Sequence, residues 1–126
     1  MNKSANQKRR LGRRGEKLAR RYLKKQGYRF LADNYATRQG EIDLIMQDAE
    51  TIVFVEVKTR QTENFACGEQ SVNFPKQKHL SAAARHFIHL NRLHDHPCRF
   101  DVVAVAIPDK RKPVIRHWPN AFTLVQ

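Results

Sequence analysis

Apolar and polar positions alternate with two different periods along this chain. Leu11, Gly15, Leu18, Ala19, Tyr22 and Leu23 fall on one stripe of a helix over residues 11–26, and Gly27 stands where a helix C-terminal cap belongs. Residues 28–35 predict a short strand and turn. From Gly40 to Arg60 the period becomes two, which predicts strands at 41–47 and 51–58 with a turn centred between Ala49 and Glu50. Ile42, Leu44 and Met46 form the apolar face of the first strand, and Val53, Val55 and Val57 that of the second. Ile45 and Phe54 lie on the opposite face among charged residues. Sheets apolar on both faces need cover on both sides.

Leu80, Ala83, Ala84, Phe87 and Leu90 predict a second helix over 75–92, with Pro75 suited to its first turn. Residues 100–107 read as a buried strand closed by Pro108, and 114–118 as an edge strand. Residues 60–74 form a long polar connection. Residues 1–10 are polar, basic and aperiodic and read as a flexible basic tail, leaving 11–126 as a single domain. The order of elements predicts an α/β fold with a central mixed β-sheet and a helix against each face.

The polar positions of the hairpin carry the candidate chemistry. With Asp43 opposite Glu56, Glu41 falls opposite Lys58. Three carboxylates and one ammonium then share a face. Burying such a set is costly unless a cation compensates, and Lys58 alone cannot neutralise three acids. Mg²⁺ or Mn²⁺ would complete the balance. Asp43 and Glu56 are the candidate metal ligands, joined by a backbone carbonyl near Val57, and the open positions suit water and a phosphate oxygen. Lys58 is placed to orient a water or to stabilise developing charge.

Charge changes the picture of the partner. The 126 residues carry a net +12. Residues 1–30 hold twelve Lys/Arg and one acid, residues 31–69 three and eight, and residues 70–126 nine and three. An acidic island in a basic body points to a cation site beside a surface for a polyanion. Arg13, Arg14, Lys17, Arg60, Lys110 and Arg111 are candidate nucleic-acid contacts. They would bind phosphates without reading sequence, which favours DNA recognised by shape over base readout; RNA is the weaker partner. No apolar run approaches a membrane span, and two cysteines without paired spacing fit a reduced, cytoplasmic protein. The six histidines lack zinc spacing. Asp101, at the entrance to a strand after Arg99, reads as a local ion pair or a turn cap.

Asp43, followed twelve residues later by Glu56-Val57-Lys58, resembles the acid…acid-x-Lys core of the restriction-endonuclease-like superfamily. Gly15-Glu16, Leu18-Ala19, Leu23, Gly27, Asn34, GEIDLI at 40–45, VFVEVKTR at 53–60, Lys76 and RFDVV at 99–103 resemble the YraN-like family of uncharacterised bacterial proteins. That resemblance covers about residues 12–122. It implies a three-layer restriction-endonuclease-like fold, a likeness to archaeal Holliday-junction resolvases, and a Mg²⁺-dependent endonuclease acting on branched DNA. It also implies a first acid from the N-terminal helix, matched by Glu16, and a polar residue facing the site, matched by Lys76 or Gln77. A resolvase needs two sites, hence a homodimer. The family places Phe and Gly together after the core, whereas Ala66 and Cys67 separate Phe65 from Gly68 here. A non-catalytic nucleic-acid-binding module on the same fold is the alternative function.

Overall fold

The computed structural model describes residues 3–62 and 70–125. Phe65, Cys67 and Gly68 lie outside the described residues. The elements are α1 (Lys3–Lys25), β1 (Arg29–Ala36), β2 (Glu41–Asp48), β3 (Thr51–Arg60), α2 (Phe74–Leu90), β4 (Cys98–Ala106) and β5 (Val114–Phe122). The strands form one sheet in the order β1-β2-β3-β4-β5. Only β3 and β4 run parallel, joined through α2; the other neighbours are antiparallel. The sheet is therefore mixed, as the order of elements predicts.

A helix covers each face. Ala19 and Leu23 of α1 pack on Leu44, Met46, Val53, Val55, Val103 and Val105. Leu80, Ala83, Ala84 and Phe87 of α2 pack on Ile45, Ile52, Phe54, Phe100 and Val102. β3 and β4 read as near-continuous apolar runs because both of their faces are buried. Leu90, expected in the α2 stripe, is 65% exposed. It is the last helical residue, and Asn91 caps the helix there.

Helix α1 begins at Lys3, inside the stretch read as a tail and ahead of the expected start at residue 11. This stretch holds Ala5, Gln7, Lys8, Arg9 and Arg10 and neither Gly nor Pro, so propensity carries the helix outward without an apolar stripe. At its other end the Tyr28 N–H donates to Leu23 O and the Gly27 N–H to Lys24 O, with Gly27 at φ +98°: the glycine cap that the pattern predicts. β5 runs on to Phe122, past the expected 118. Pro119 is tolerated because this is an edge strand.

One glycine sets how close α1 comes to the sheet. A Cβ built on Gly15 would lie 2.0 Å from Thr59 Oγ1 and 2.8 Å from Thr59 Cβ. Only a residue without a side chain permits this approach, and Glu16 follows it directly.

Asp101 is fully buried under the far half of α1. It accepts from Arg99 Nε (3.0 Å) and from the Asn120 N–H (2.9 Å), and it meets His117 Nε2 at 2.7 Å. Arg99 also donates to Tyr28 Oη at 2.6 Å. Burial pushes the Asp101 carboxyl up, but hydrogen bonds from His117, Arg99 and the Asn120 amide outweigh it and hold the group below the usual range. The network pins β4 to β5 at their register shift beside Phe100. Asp101→Ala removes the buried acceptor that Arg99, His117 and the Asn120 N–H share and is expected to cost about 3–5 kcal/mol in urea unfolding.

Candidate functional site

The hairpin register is the one the sequence predicts. Leu44 faces Val55, Ile45 faces Phe54, and Asp48 faces Thr51 across the turn, where Ala49 takes φ +53°. Continuing that count sets Asp43 against Glu56 and Glu41 against Lys58. The ladder itself stops at Leu44 and Val55. Beyond it the Asp43 carboxylate takes over as acceptor, with the Val57 N–H donating to Oδ2 at 2.8 Å.

The cluster does not sit on one face, which corrects the simple alternation. Asn34 lies at φ +47°, between the pairs Asp33–Leu44 and Tyr35–Ile42. Asn tolerates this left-handed backbone better than most residues. The result is a change of face at this point in both strands. Leu44 packs under α1, whereas Ile42 packs under α2 and not with Leu44 and Met46 as expected. Likewise Asp33 pairs with Arg20 of α1, whereas Tyr35 stacks edge-on against Phe87 of α2. Asp43 lies at the switch. Irregularities of this kind re-aim side chains beside functional sites.

Four acidic groups meet around it. Asp43 and Glu56 are close enough to share a hydrogen bond, and Glu16 adds its charge from α1. With its amide NH₂ turned toward the acids, Asn34 donates to Glu16 Oε1 (3.2 Å) and Glu41 Oε1 (3.1 Å). Glu16 is thus held at the site. Arg20, one turn further along α1, pairs with Asp33 and lies 4.4 Å over the Phe30 ring. Glu41 is exposed at the rim, tied to the others through Asn34.

Two cations approach from the α2 side. Lys76 pairs with the buried Glu56 through Oε2, and Lys58 Nζ donates to Ser71 O at 2.5 Å. Of the two positions implied to face the site, Lys76 does so. Gln77 instead caps its own turn, donating to Val72 O at 2.6 Å.

Burial raises the Asp43 carboxyl to about 8, and the neighbouring Glu56 and Glu16 carboxylates add to the shift; the Val57 N–H partly opposes it. Burial also raises Glu16, against the Asn34 hydrogen bond and with help from Glu41, Asp33 and Glu56. A protein without bound cation should therefore lose stability as pH rises from about 4 to about 8. In that window the folded state holds a proton that the unfolded chain has released, at up to about 1.4 kcal/mol per pH unit. Above it the dependence flattens. Thermal melts in EDTA at several pH values measure this, and Asp43→Asn should remove most of the slope.

Among the described residues no group of three His, Cys, Asp or Glu side chains is arranged to hold a metal ion. The candidate donor pair is the carboxylates of Asp43 and Glu56. Hard oxygen donors, two carboxylates and excess negative charge fit Mg²⁺ or Mn²⁺, which keep several waters and take few protein ligands. Cys98 is a free thiol pushed up by burial and has no part here.

Three clefts lie along α1, and of the clustered acids Glu16 alone lines any of them. One of about 460 Å³ is lined by Arg13, Arg14, Glu16, Lys17, Arg20 and Asn34. A second of about 660 Å³ is lined by Lys8, Leu11, Glu16, Val57, Thr59 and Arg60. The third, about 560 Å³, is lined by Leu11, Arg14, Gln61, Lys110 and Arg111. Glu16 borders the first two, Arg14 the first and third, and Leu11 the second and third, so a basic trough wraps the N-terminal half of α1. The pattern assigns no role to Lys8, Arg20 or Asn34. Lys8 sits in the stretch read as tail, and Arg20 looks like any surface charge of α1. Asn34 reaches the site only through its backbone twist. Among the described residues no helix is long and apolar enough to cross a membrane.

A small α/β protein, with an acidic site at a break in its sheet and a basic trough around it, is the class these features define. Residues 15–105 match the uncharacterised protein family UPF0102, and the chain belongs to that family. It is 45% identical over 111 residues to a UPF0102 protein of Trichlorobacter lovleyi, covering 87% of each chain. A UPF0102 protein of Alkaliphilus oremlandii is 45% identical over 114 residues, covering 89% of this chain and 97% of the relative.

Proposed function

We propose that this protein is a metal-dependent endonuclease of the restriction-endonuclease-like superfamily, akin to archaeal Holliday-junction resolvases, that hydrolyses phosphodiester bonds in branched or otherwise structured DNA. The observation that carries the reading is the contact between Asp43 and Glu56, with Glu16 brought to the same point from another element. Carboxylates gathered against their own repulsion mark a functional site.

Asp43 and Glu56 would hold Mg²⁺ or Mn²⁺, which when bound supplies Lewis acidity and a more acidic water. The chain's own groups do the rest. Lys58, next to the ligands on β3, orients the attacking water and stabilises charge on the phosphate. Glu16, fixed by Asn34, accepts a hydrogen bond from that water. Arg13, Arg14, Lys17 and Arg60 hold flanking phosphates, and Lys110 and Arg111 extend the trough. Phosphate contacts without base-edge readers select by shape.

One observation favours a second reading, a nucleic-acid-binding module without turnover: Lys76 already neutralises Glu56. Incubating purified protein with branched, nicked and linear DNA and Mg²⁺ or Mn²⁺ separates the two. Cleavage stopped by EDTA supports the enzyme; salt-sensitive binding with no cleavage under either ion supports the module.

A further inference from the structure

Three large apolar side chains are exposed among the described residues: Phe74, Leu90 and Val114. Leu90 ends α2 and Val114 opens β5 at the sheet edge. Phe74 differs from both in where it stands. It is the first residue of α2 and 59% exposed. The segment carrying it is tied to the acidic site at both ends. Three residues before it, Ser71 O accepts from Lys58 Nζ; two residues after it, Lys76 pairs with Glu56.

The platform is also rigid. Asn73 Oδ1 accepts from the Lys76 N–H (2.9 Å), the Gln77 N–H donates to Asn73 O (2.9 Å), and Gln77 Nε2 holds Val72 O. The first turn of α2 holds no acid, and Lys78 Nζ lies 6.0 Å from the ring centroid, at the edge of cation–π range.

An exposed apolar ring with Lys78 beside it, on a segment tied to the acidic site, matches a ligand with a flat apolar face and a phosphate on one frame. We infer that Phe74 is a stacking platform for an unpaired base next to the phosphate held at the acidic site. A paired base keeps its faces within the duplex stack and offers none to the ring. The substrate class is then DNA with an unpaired nucleotide at the reacting position, as in a flap, a frayed junction arm or a single strand. An apolar peptide would gain nothing from the adjacent Lys78. This inference rests on the endonuclease reading in taking the ligand to be nucleic acid and the acidic site to hold its phosphate.

The test is equilibrium binding of the full chain in EDTA, at one fixed salt concentration, to an oligothymidine single strand and to a blunt duplex of equal length. Phe74→Ala should weaken single-strand binding about 5- to 100-fold, the effect of one base–aromatic stack, and leave duplex affinity unchanged. Phe74→Trp should restore single-strand affinity, and its indole fluorescence should be quenched on binding beyond any change of Trp118 in the parent protein. Equal losses on both DNAs would make Phe74 a packing residue and overturn the proposal. No loss on either would assign the ring to a protein contact and overturn it equally. Those results leave the endonuclease reading standing, whereas a parent protein that binds neither DNA removes both.

Discussion

Asp43→Asn should abolish DNA cleavage and at the same time make the metal-free protein more stable above neutral pH. The asparagine is nearly isosteric. Its carbonyl can still accept from the Val57 N–H, and its NH₂ can donate to Glu56, so the local backbone keeps its partner. What disappears is the charge. In the parent protein that charge is held against burial and against Glu56 and Glu16, which is why the carboxyl is raised to about 8. Removing it relieves the repulsion, and a gain of a few kcal/mol at pH 8 is expected, as the slope between about pH 4 and about pH 8 requires, the usual relation between stability and a strained site. Cleavage should fall by at least about 10³-fold, because a single carboxamide is a poor ligand for a hard divalent ion. Lys58→Ala should lose a comparable factor in rate while divalent-ion affinity, read by calorimetry, stays near that of the parent. Cleavage that survives Asp43→Asn would come from a contaminant and end the assignment. A variant less stable than the parent at pH 8 would show that the cluster carries no repulsive strain.

The second large effect is predicted at Gly15. An added methyl would lie 2.0 Å from Thr59 Oγ1, 2.7 Å from Cγ2 and 2.8 Å from Cβ. Turning the threonine about χ1 moves the first two atoms but not the third, so α1 must shift off β3. Overpacking of this kind costs about 1–3 kcal/mol. It should cost activity as well, because Glu16 is the next residue and its reach to Asn34 depends on the same approach. Gly12→Ala is the control. It lies on the same helix with nothing within 4 Å of its would-be Cβ. There alanine should stabilise by about 0.5–1 kcal/mol through helix propensity alone. Thr59→Ala in the Gly15→Ala background should recover part of the loss, since it removes the two closer atoms and leaves the 2.8 Å contact. Chemical denaturation of these three variants and of Thr59→Ala alone measures the coupling, and a Gly15→Ala protein as stable as the parent would contradict the close approach.

Elements were legible in the sequence wherever their cause was local. The β2–β3 hairpin is the clearest case. A period of two on each side and a two-residue turn leave one register that buries both apolar sets, so Asp43 against Glu56 could be read before any coordinates. Gly27 as the α1 cap and Pro75 in the first turn of α2 follow in the same way from backbone geometry that few residues satisfy. The start of α1 was not legible. Its first two turns carry no apolar stripe, so periodicity had nothing to report there.

The sequence by itself thus determined the layers, the mixed sheet, and the presence of three acids and a lysine on one hairpin. Those depend on alternation, turn chemistry and the need to bury two apolar faces, all written within short stretches of chain. The tertiary structure alone decided how the acids converge. Asn34 reverses the faces of β1 and β2 at Asp43, Gly15 lets α1 bring Glu16 inward, and α2 supplies Lys76 to Glu56. Each is a contact between residues at least twenty positions apart, or a single left-handed residue whose consequence is felt on a neighbouring strand. Spacing along a chain cannot express such relations, because they arise only when packing fixes which helix lies over which face and how closely.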